Sequence, residues 1–441
     1  MLPQSLRGRR AALVGYGRAH RALALRLAAE GAQVFAFDQS EEAAARARED
    51  GREGSFGAGY LEALRALRPE FAFLTPGMRK DLPALAALGA DGTVLTSETA
   101  YFFARRRRPV LGITGSAGKT TTTTLVGRML ARQGIAAAVC GNIGRPLSEA
   151  LGDEQQIELY VAEFSSFQLQ NLQASPEIAG LLNIRPNHLD IHPSFEDYAE
   201  SKWRIARFQG EEGVLVLHAA LRASAPPLRG RVECFDAGAP ADACVAAGDI
   251  VLHGRRVLPV AELRLAGRHN VENALAAALL ASAAGAEESA IAEELRSFQG
   301  VAHRLELVAV QGGVRYVNDS IATAPDRALA AFDALEGPFV WLAGGYDKHL
   351  DYHELARSAK DVRFACLFGP VGKTLLPLLA AQGIAAQLFD GFDAAVEAAA
   401  RTAQPGDTVL LSPAAASYDA FRNFEERGER FRQLVLARTS A

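Results

Sequence analysis

Val110-Leu111-Gly112-Ile113-Thr114-Gly115-Ser116-Ala117-Gly118-Lys119-Thr120-Thr121 runs from an apolar stretch through a glycine turn into the start of a helix. A strand, a glycine turn and a helix start together cradle phosphate. Backbone N–H groups point inward, and the helix dipole favours the anion. Lys119 adds a positive charge and Thr120 a hydroxyl for Mg²⁺. Gly115, Ser116, Ala117, Gly118, Lys119, Thr120 and Thr121 are therefore the expected ATP-binding run, and the chain is expected to handle ATP or GTP. Ile113 stands where the widest phosphate-loop pattern has a glycine. The plain alternative is a glycine turn that merely reverses the chain, but Gly-Lys-Thr-Thr directly after an apolar strand is a specific combination.

Outward from that loop, strand, turn and helix repeat from end to end. Residues 11–15, 33–38 and 71–75 read as strands and 19–30 as a helix; on the far side, 315–317, 340–343, 364–368 and 408–411 read as strands. Such alternation implies α/β domains, with parallel sheets covered by helices on both faces. Arg105-Arg106-Arg107-Arg108-Pro109 reads as a solvated linker, and a second boundary falls at Val301-Ala302-His303-Arg304. Three domains are expected, 1–104, 105–302 and 303–441, which suits a chain of 441 residues.

Composition narrows the functional class. Hydrophobic residues make up 49%, enough for several cores, and a net charge of −4 gives no reason to expect a nucleic-acid or membrane partner. Cys140, Cys234, Cys244 and Cys366 are scattered, with no Cys-x-x-Cys pair. With no secretory signal at the start, a reduced, cytoplasmic setting without structural zinc is expected. The longest apolar run, 274–286, is well short of the ~20 residues that span a bilayer.

The polar residues that punctuate these strands supply the candidate site. Gly15-Tyr16-Gly17 follows a strand, Asp38 ends the next, and His20 stands where a dinucleotide fingerprint has its third glycine. Gly15 and Asp38 are open to two readings, a tight strand–helix turn or a nucleotide or sugar-nucleotide site. Glu163 ends an apolar strand beside Ser165 and Gln168, and a carboxylate delivered next to a phosphate loop pairs with Thr120 as hard oxygen ligands for Mg²⁺. His188 follows another strand end, as a candidate for a second metal or an oxyanion. His192 lies four residues on, but Pro193 and the lack of a third ligand argue against zinc. Lys202 lies in a helical segment and ligates a metal only after reacting with CO₂ to form a carbamate. Asn270 and Asn273 open a long helix, either as caps or as purine contacts. Arg304 sits at the second boundary, placed to reach a nucleotide phosphate. Asp319, Lys348 and Ser417 follow strand ends of the last domain, with Thr323 nearby, and suit a small carboxylate ligand.

Together these segments resemble the Mur ligase superfamily along the whole chain. The most specific are 112–121, Gly141-Asn142-Ile143-Gly144, 163–168, 187–190 with Lys202, 267–273, His303-Arg304, Asn318-Asp319-Ser320 and 411–428. The last run, with Ser417-Tyr418-Asp419 and Phe421-Arg422-Asn423-Phe424, points to the branch that adds glutamate. The resemblance implies a Rossmann-like N-terminal domain for a UDP-linked substrate. A central phosphate-loop ATPase-like domain with a mostly parallel sheet and a C-terminal Rossmann-like domain for glutamate follow. It implies a monomeric, ATP-dependent amide ligase of peptidoglycan synthesis, acting on UDP-N-acetylmuramoyl-L-alanine and glutamate through an acyl phosphate.

Two Mg²⁺ ions are implied, one held by Thr120 and Glu163 and one by His188 and carbamylated Lys202. Lys119, His188 and Lys202 are the implied catalytic residues. By the same resemblance Asn142, Ser165 and Gln168 face the muramoyl-alanine arm, Asp38 and the Gly15 turn lie near the uridine diphosphate, and Asn273, Arg304 and Asp319 contact ATP. Thr323, Lys348, Ser417, Tyr418 and Phe424 surround the glutamate. Two departures stand out. Ala117 replaces a polar residue frequent in the loop, and Ile321 replaces a lysine near the glutamate pocket, which bears on whether D- or L-glutamate is taken. Three other readings compete: a folate polyglutamate ligase, a nicotinamide dehydrogenase built on Gly15-x-Gly17, and a non-catalytic nucleotide-binding relative. In turn, the extra first domain, the missing third glycine and the intact Lys119, Glu163, His188 and Lys202 weigh against them.

Overall fold

The computed structural model describes residues 2–79, 82–186, 191–265, 267–335, 337–348 and 350–438. Among them the strands form three sheets. The first holds β1 (Arg10–Val14), β2 (Gln33–Asp38), β3 (Glu53–Phe56), β4 (Phe71–Leu74) and β5 (Val94–Thr96) in the order β3-β2-β1-β4-β5, every pair parallel. Strand alternation sends Ala11, Leu13, Phe71 and Phe73 to one buried cluster and Ala12, Val14, Ala72 and Leu74 to the other, so helices cover both faces. The strand order reverses between β1 and β4, the place where such sheets open a binding crevice.

The second sheet holds β6 (Val110–Thr114), β7 (Ala137–Gly141), β8 (Leu159–Glu163), β9 (Ile178–Leu181), β10 (Val214–His218), β11 (Arg231–Asp236), β12 (Ala243–Ala246), β13 (Asp249–Leu252) and β14 (Arg255–Pro259). Their order is β14-β13-β12-β11-β10-β9-β6-β8-β7. It is parallel up to β12 and ends in an antiparallel meander, β12-β13-β14, that alternation alone does not announce. The strand before the phosphate loop, β6, lies between β8 and β9 and is buried along its length. The third sheet holds β15 (Glu306–Gln311), β16 (Val314–Asn318), β17 (Phe339–Gly344), β18 (Val362–Phe368), β19 (Ala386–Leu388) and β20 (Thr408–Leu411), in the order β15-β16-β20-β17-β18-β19. Only β15 runs antiparallel.

The chain divides into two compact units, 1–298 with the first two sheets and 299–441 with the third. Within the first unit the arginine run departs from its reading as a solvated linker. The side chain of Arg105 is only 16% exposed and grips Glu30 through two bonds, and that of Arg106 is 17% exposed and pairs with Glu177. Carboxylates on neighbouring elements hold these guanidinium groups down, while Arg107 and Arg108 border a shallow surface cleft. The first two sheets are stitched further by buried Glu98, which accepts both the N–H and the hydroxyl of Ser148. No helix among the described residues is long and apolar enough to cross a membrane.

Candidate active site

Gly118 ends the phosphate turn with φ +83°, the left-handed region that favours glycine, and the helix Lys119–Gln133 begins at the next residue. A Cβ on Gly118 would fall 2.2 Å from Asn273 Oδ1, so the turn and the helix Arg268–Ala283 fit only without a side chain there. Asn273 makes no cap; its amide donates to Asn270 and its oxygen abuts the turn. The apex is clamped by Asn183, just past β9. Its Oδ1 accepts the Ala117 N–H at 2.9 Å, and its Nδ2 donates to the Ala117 carbonyl at 3.1 Å. Both bonds go to main chain, so the alanine at 117 costs this clamp nothing.

Charge gathers on one carbonyl. Lys119 Nζ donates to Gly115 O at 2.9 Å, and Lys202 Nζ to the same oxygen at 2.8 Å. Lys202 lies in the helix Phe195–Arg207 and is 1% exposed. Burial first, then the charge of Lys119, hold its amine well below the usual lysine range, with Glu163 opposing. One helical turn earlier Tyr198 lays its ring 4.6 Å from Lys202 Nζ and bonds Ser116 Oγ at 2.8 Å. Glu163 ends β8 beside the turn. Its Oε2 accepts the Thr120 hydroxyl at 2.9 Å and its Oε1 the Asn142 amide at 2.7 Å. Thr120, Glu163, Lys119 and Lys202 are thus brought together as expected from the sequence. His188 lies outside the described residues.

Other expected contacts are engaged inside the protein. Ser165 and Gln168 form a reciprocal capping box on the short helix Ser166–Leu169, a Ser-x-x-Gln pattern legible in sequence and not read as such. Asn142, expected on the substrate arm, holds Glu163. His192 spends both ring nitrogens on Asp197 and Ser166, which leaves none for a metal. In the first sheet Gly15 has φ +87°, and a Cβ would lie 2.5 Å from Thr75 Cγ2, so β1 and β4 close on each other at the switch point. Asp38 accepts the N–H groups of Tyr16 and Ser40, so its carboxylate closes the turn itself. His20, in the place of the third glycine, is buried, which pushes its imidazole down to about 4.

Sequence reasoning passed over His218, Asp236 and Glu272, whose ligand atoms cluster within 4.8 Å. His218 Nδ1 accepts the Ala220 N–H, so the ring proton sits on Nε2, facing Glu272. Metal-binding histidines carry the opposite arrangement, with the far nitrogen donating. The ring faces Glu272 at 3.6 Å, beside the start of the Arg268–Ala283 helix.

In the second unit, Asp319 is 4% exposed and burial raises its carboxyl to about 7, against bonds from Ser412 and Leu305 that lower it. Asn318 is buried between His303 and the Gly428 carbonyl. Ser320 donates to the carbonyl of Phe424 at 2.8 Å, so the loop bearing Thr323 is tied to the segment bearing Phe424. Ser417 is buried, and Tyr418 stands out in solvent against Tyr346. Lys348 and Arg304 are both engaged in interactions within the protein.

Comparison with known proteins places this geometry. Residues 113–281 match the Mur ligase middle domain, and 303–415 the Mur ligase glutamate ligase domain. The chain is 43% identical over 447 aligned positions to the UDP-N-acetylmuramoylalanine–D-glutamate ligase of Symbiobacterium thermophilum, covering 97% of this chain and 98% of that one. It is 37% identical to the enzyme of the same name from Clostridium novyi, at 98% and 97% coverage. In fold it resembles UDP-N-acetylmuramate–alanine ligase of Thermotoga maritima, with TM-score 0.57 at 19% identity, covering 98% of this chain and 100% of that one. It likewise resembles the MurF ligase of T. maritima, solved with ADP, with TM-score 0.53 at 16% identity and coverage of 99% and 98%. On the strength of its full-length relatives and both domain matches, the chain belongs to the Mur ligase family.

Proposed function

We propose that this protein is the ATP-dependent ligase that joins D-glutamate to UDP-N-acetylmuramoyl-L-alanine in peptidoglycan synthesis, releasing ADP and phosphate. One observation carries the reading. Two lysine amines meet at the Gly115 carbonyl beside the Thr120–Glu163 pair, in a chain whose full-length relatives bear that activity in their names. The barrier to this chemistry is repulsion between a carboxylate and a triphosphate. Lys119 and the N–H groups of the turn lower it by holding the phosphates in line with the acceptor. A carboxylate oxygen of the substrate attacks the γ-phosphorus and ADP leaves. The glutamate amine then attacks the acyl carbon, loses a proton, and phosphate departs as the amide closes.

The donor set fits Mg²⁺. Thr120 and Glu163 would hold one ion, and His188 with Lys202 a second; when bound, such ions neutralise phosphate oxygens. Lys202 qualifies because its amine is buried and held toward neutrality: the free nitrogen adds to CO₂, a proton is lost, and an anionic carbamate replaces a cation. The domains divide the work. Residues 1–104 take the uridine diphosphate near Gly15 and Asp38, and 105–302 take ATP at 115–121 and Asn273. Residues 303–441 contribute Arg304 and Asp319 to ATP and Thr323, Lys348, Ser417, Tyr418 and Phe424 to glutamate. Asn142, which holds Glu163, and the capping pair Ser165 and Gln168 would border the muramoyl-alanine arm.

Phosphate release from ATP with UDP-N-acetylmuramoyl-L-alanine tests the reading. Release should require D-glutamate and be at least about tenfold slower with L-glutamate, despite Ile321. Equal turnover with both enantiomers, or release with neither, overturns it.

A further inference from the structure

The segments that follow adjacent strands β16 and β20 are bound together by one interior side chain, Arg427, in the first turn of the helix Phe424–Ala437. It is wholly buried, at 0% exposure. Its Nε donates to Ser320 Oγ at 3.0 Å, its Nη2 to the Ser320 carbonyl at 2.9 Å and its Nη1 to the Ala416 carbonyl at 3.3 Å. Every one of these acceptors is neutral. Burial lowers the guanidinium to about 9, and the charge of Asp419 opposes that fall without forming an ion pair. An interior cation whose hydrogen bonds all go to neutral dipoles is costly to keep, and the nearby charge of Asp419 opposes its field.

The acceptors sit among the residues assigned to glutamate. Ser320 donates its hydroxyl hydrogen bond to the Phe424 carbonyl while accepting from Arg427, and it precedes the 321–323 stretch that ends in Thr323. Ala416 precedes Ser417, and its carbonyl also takes the Tyr346 N–H, which ties in the segment after β17. A Cβ on Gly345 would lie 3.1 Å from Arg427 Nη1 and 2.3 Å from the Ala416 carbonyl, so the backbone closes tightly around this group.

We propose that Arg427 is a positioning residue that makes this sheet edge selective for an acidic amino acid. It holds Ser417, Phe424 and the Thr323 loop in register and lends them a buried positive charge. The proposal rests on the ligase reading above and deepens it. Glutamate and glutamine have nearly the same shape, so a fixed field separates the acid from its amide where packing does not.

The test compares R427M and R427K with the unaltered chain in the phosphate-release assay, using D-glutamate and D-glutamine. R427M should raise KM for D-glutamate about tenfold or more, leave KM for ATP within about twofold, and erode the preference over D-glutamine. R427K should restore most of that preference. An unchanged glutamate KM in folded R427M, or R427K no better than R427M, overturns the proposal. D419N supplies a reading of opposite sign, which decides the matter if R427M does not fold. Removing the opposing charge should lower KM for D-glutamate by about twofold or more, and an unchanged or raised KM counts against the charge. Failure of the unaltered chain to use D-glutamate at all would sink the ligase reading itself, an outcome distinct from either variant's result.

Discussion

At the scale of single residues, the chemistry turns on what burial does to charge. Lys202 sits 2.8 Å from a carbonyl that Lys119 also occupies, and burial, then the charge of Lys119, hold its amine well below the usual lysine range. Neutral lysine is nucleophilic toward CO₂. We expect Lys202→Ala to lose at least about 100-fold in ligation rate and to regain part of it with added formate or acetate. Full activity in that variant, measured by phosphate release, would remove the carbamate role. Asp319 shows the acidic counterpart. Its folded value is about 7 against an ordinary 3.8. A raised carboxyl favours folding below the ordinary value, and that contribution is lost as pH rises through the folded one. Stability of the unit 299–441 should therefore fall between about pH 4 and pH 8, by up to roughly 4 kcal/mol. Asp319→Asn should flatten the slope; denaturant melts at several pH values giving parallel curves for both proteins would contradict this.

At the scale of elements, small fits decide whether a motif becomes a site. The phosphate loop is held open by Asn183 across the sheet and by the missing side chain at Gly118, against which Asn273 packs. Gly118→Ala adds a methyl into a 2.2 Å gap at a left-handed φ. ATP affinity should drop at least about tenfold while binding of the UDP-linked substrate persists, as read by calorimetry. Undiminished ATP binding would mean that the turn can relax. The phosphate run was legible because its residue types and their spacing are local. The Asn183 clamp and the Tyr198 contact were not, since both depend on which strand and helix are brought beside the turn. Arg105 and Arg106 depart from the linker reading for the same reason: Glu30 and Glu177, which hold them, lie more than seventy residues away, while Arg107 and Arg108 stay exposed.

At the scale of the molecule, the proposed function assigns separate binding tasks to the three sheets. The first sheet offers a switch point between β1 and β4, the second the phosphate loop, and the third an edge built on Arg427 and Ser320. If the tasks are separate, Lys119→Ala should abolish acyl-phosphate formation while affinity for the UDP-linked substrate stays within about threefold of the unaltered chain. Equilibrium binding shows whether it does, and joint loss of both would argue that one site serves both ligands.

Sequence by itself determined the α/β alternation, the phosphate loop and the family, because strand and turn signals, glycine spacing and the Gly-Lys-Thr-Thr run are properties of neighbouring residues. Only the tertiary structure decided that Asp38 closes its own turn, that Asn142 serves Glu163, and that Lys202 is stripped of water beside Lys119. Hydrogen-bond partners and desolvation are set by residues distant in sequence, and only packing brings those together.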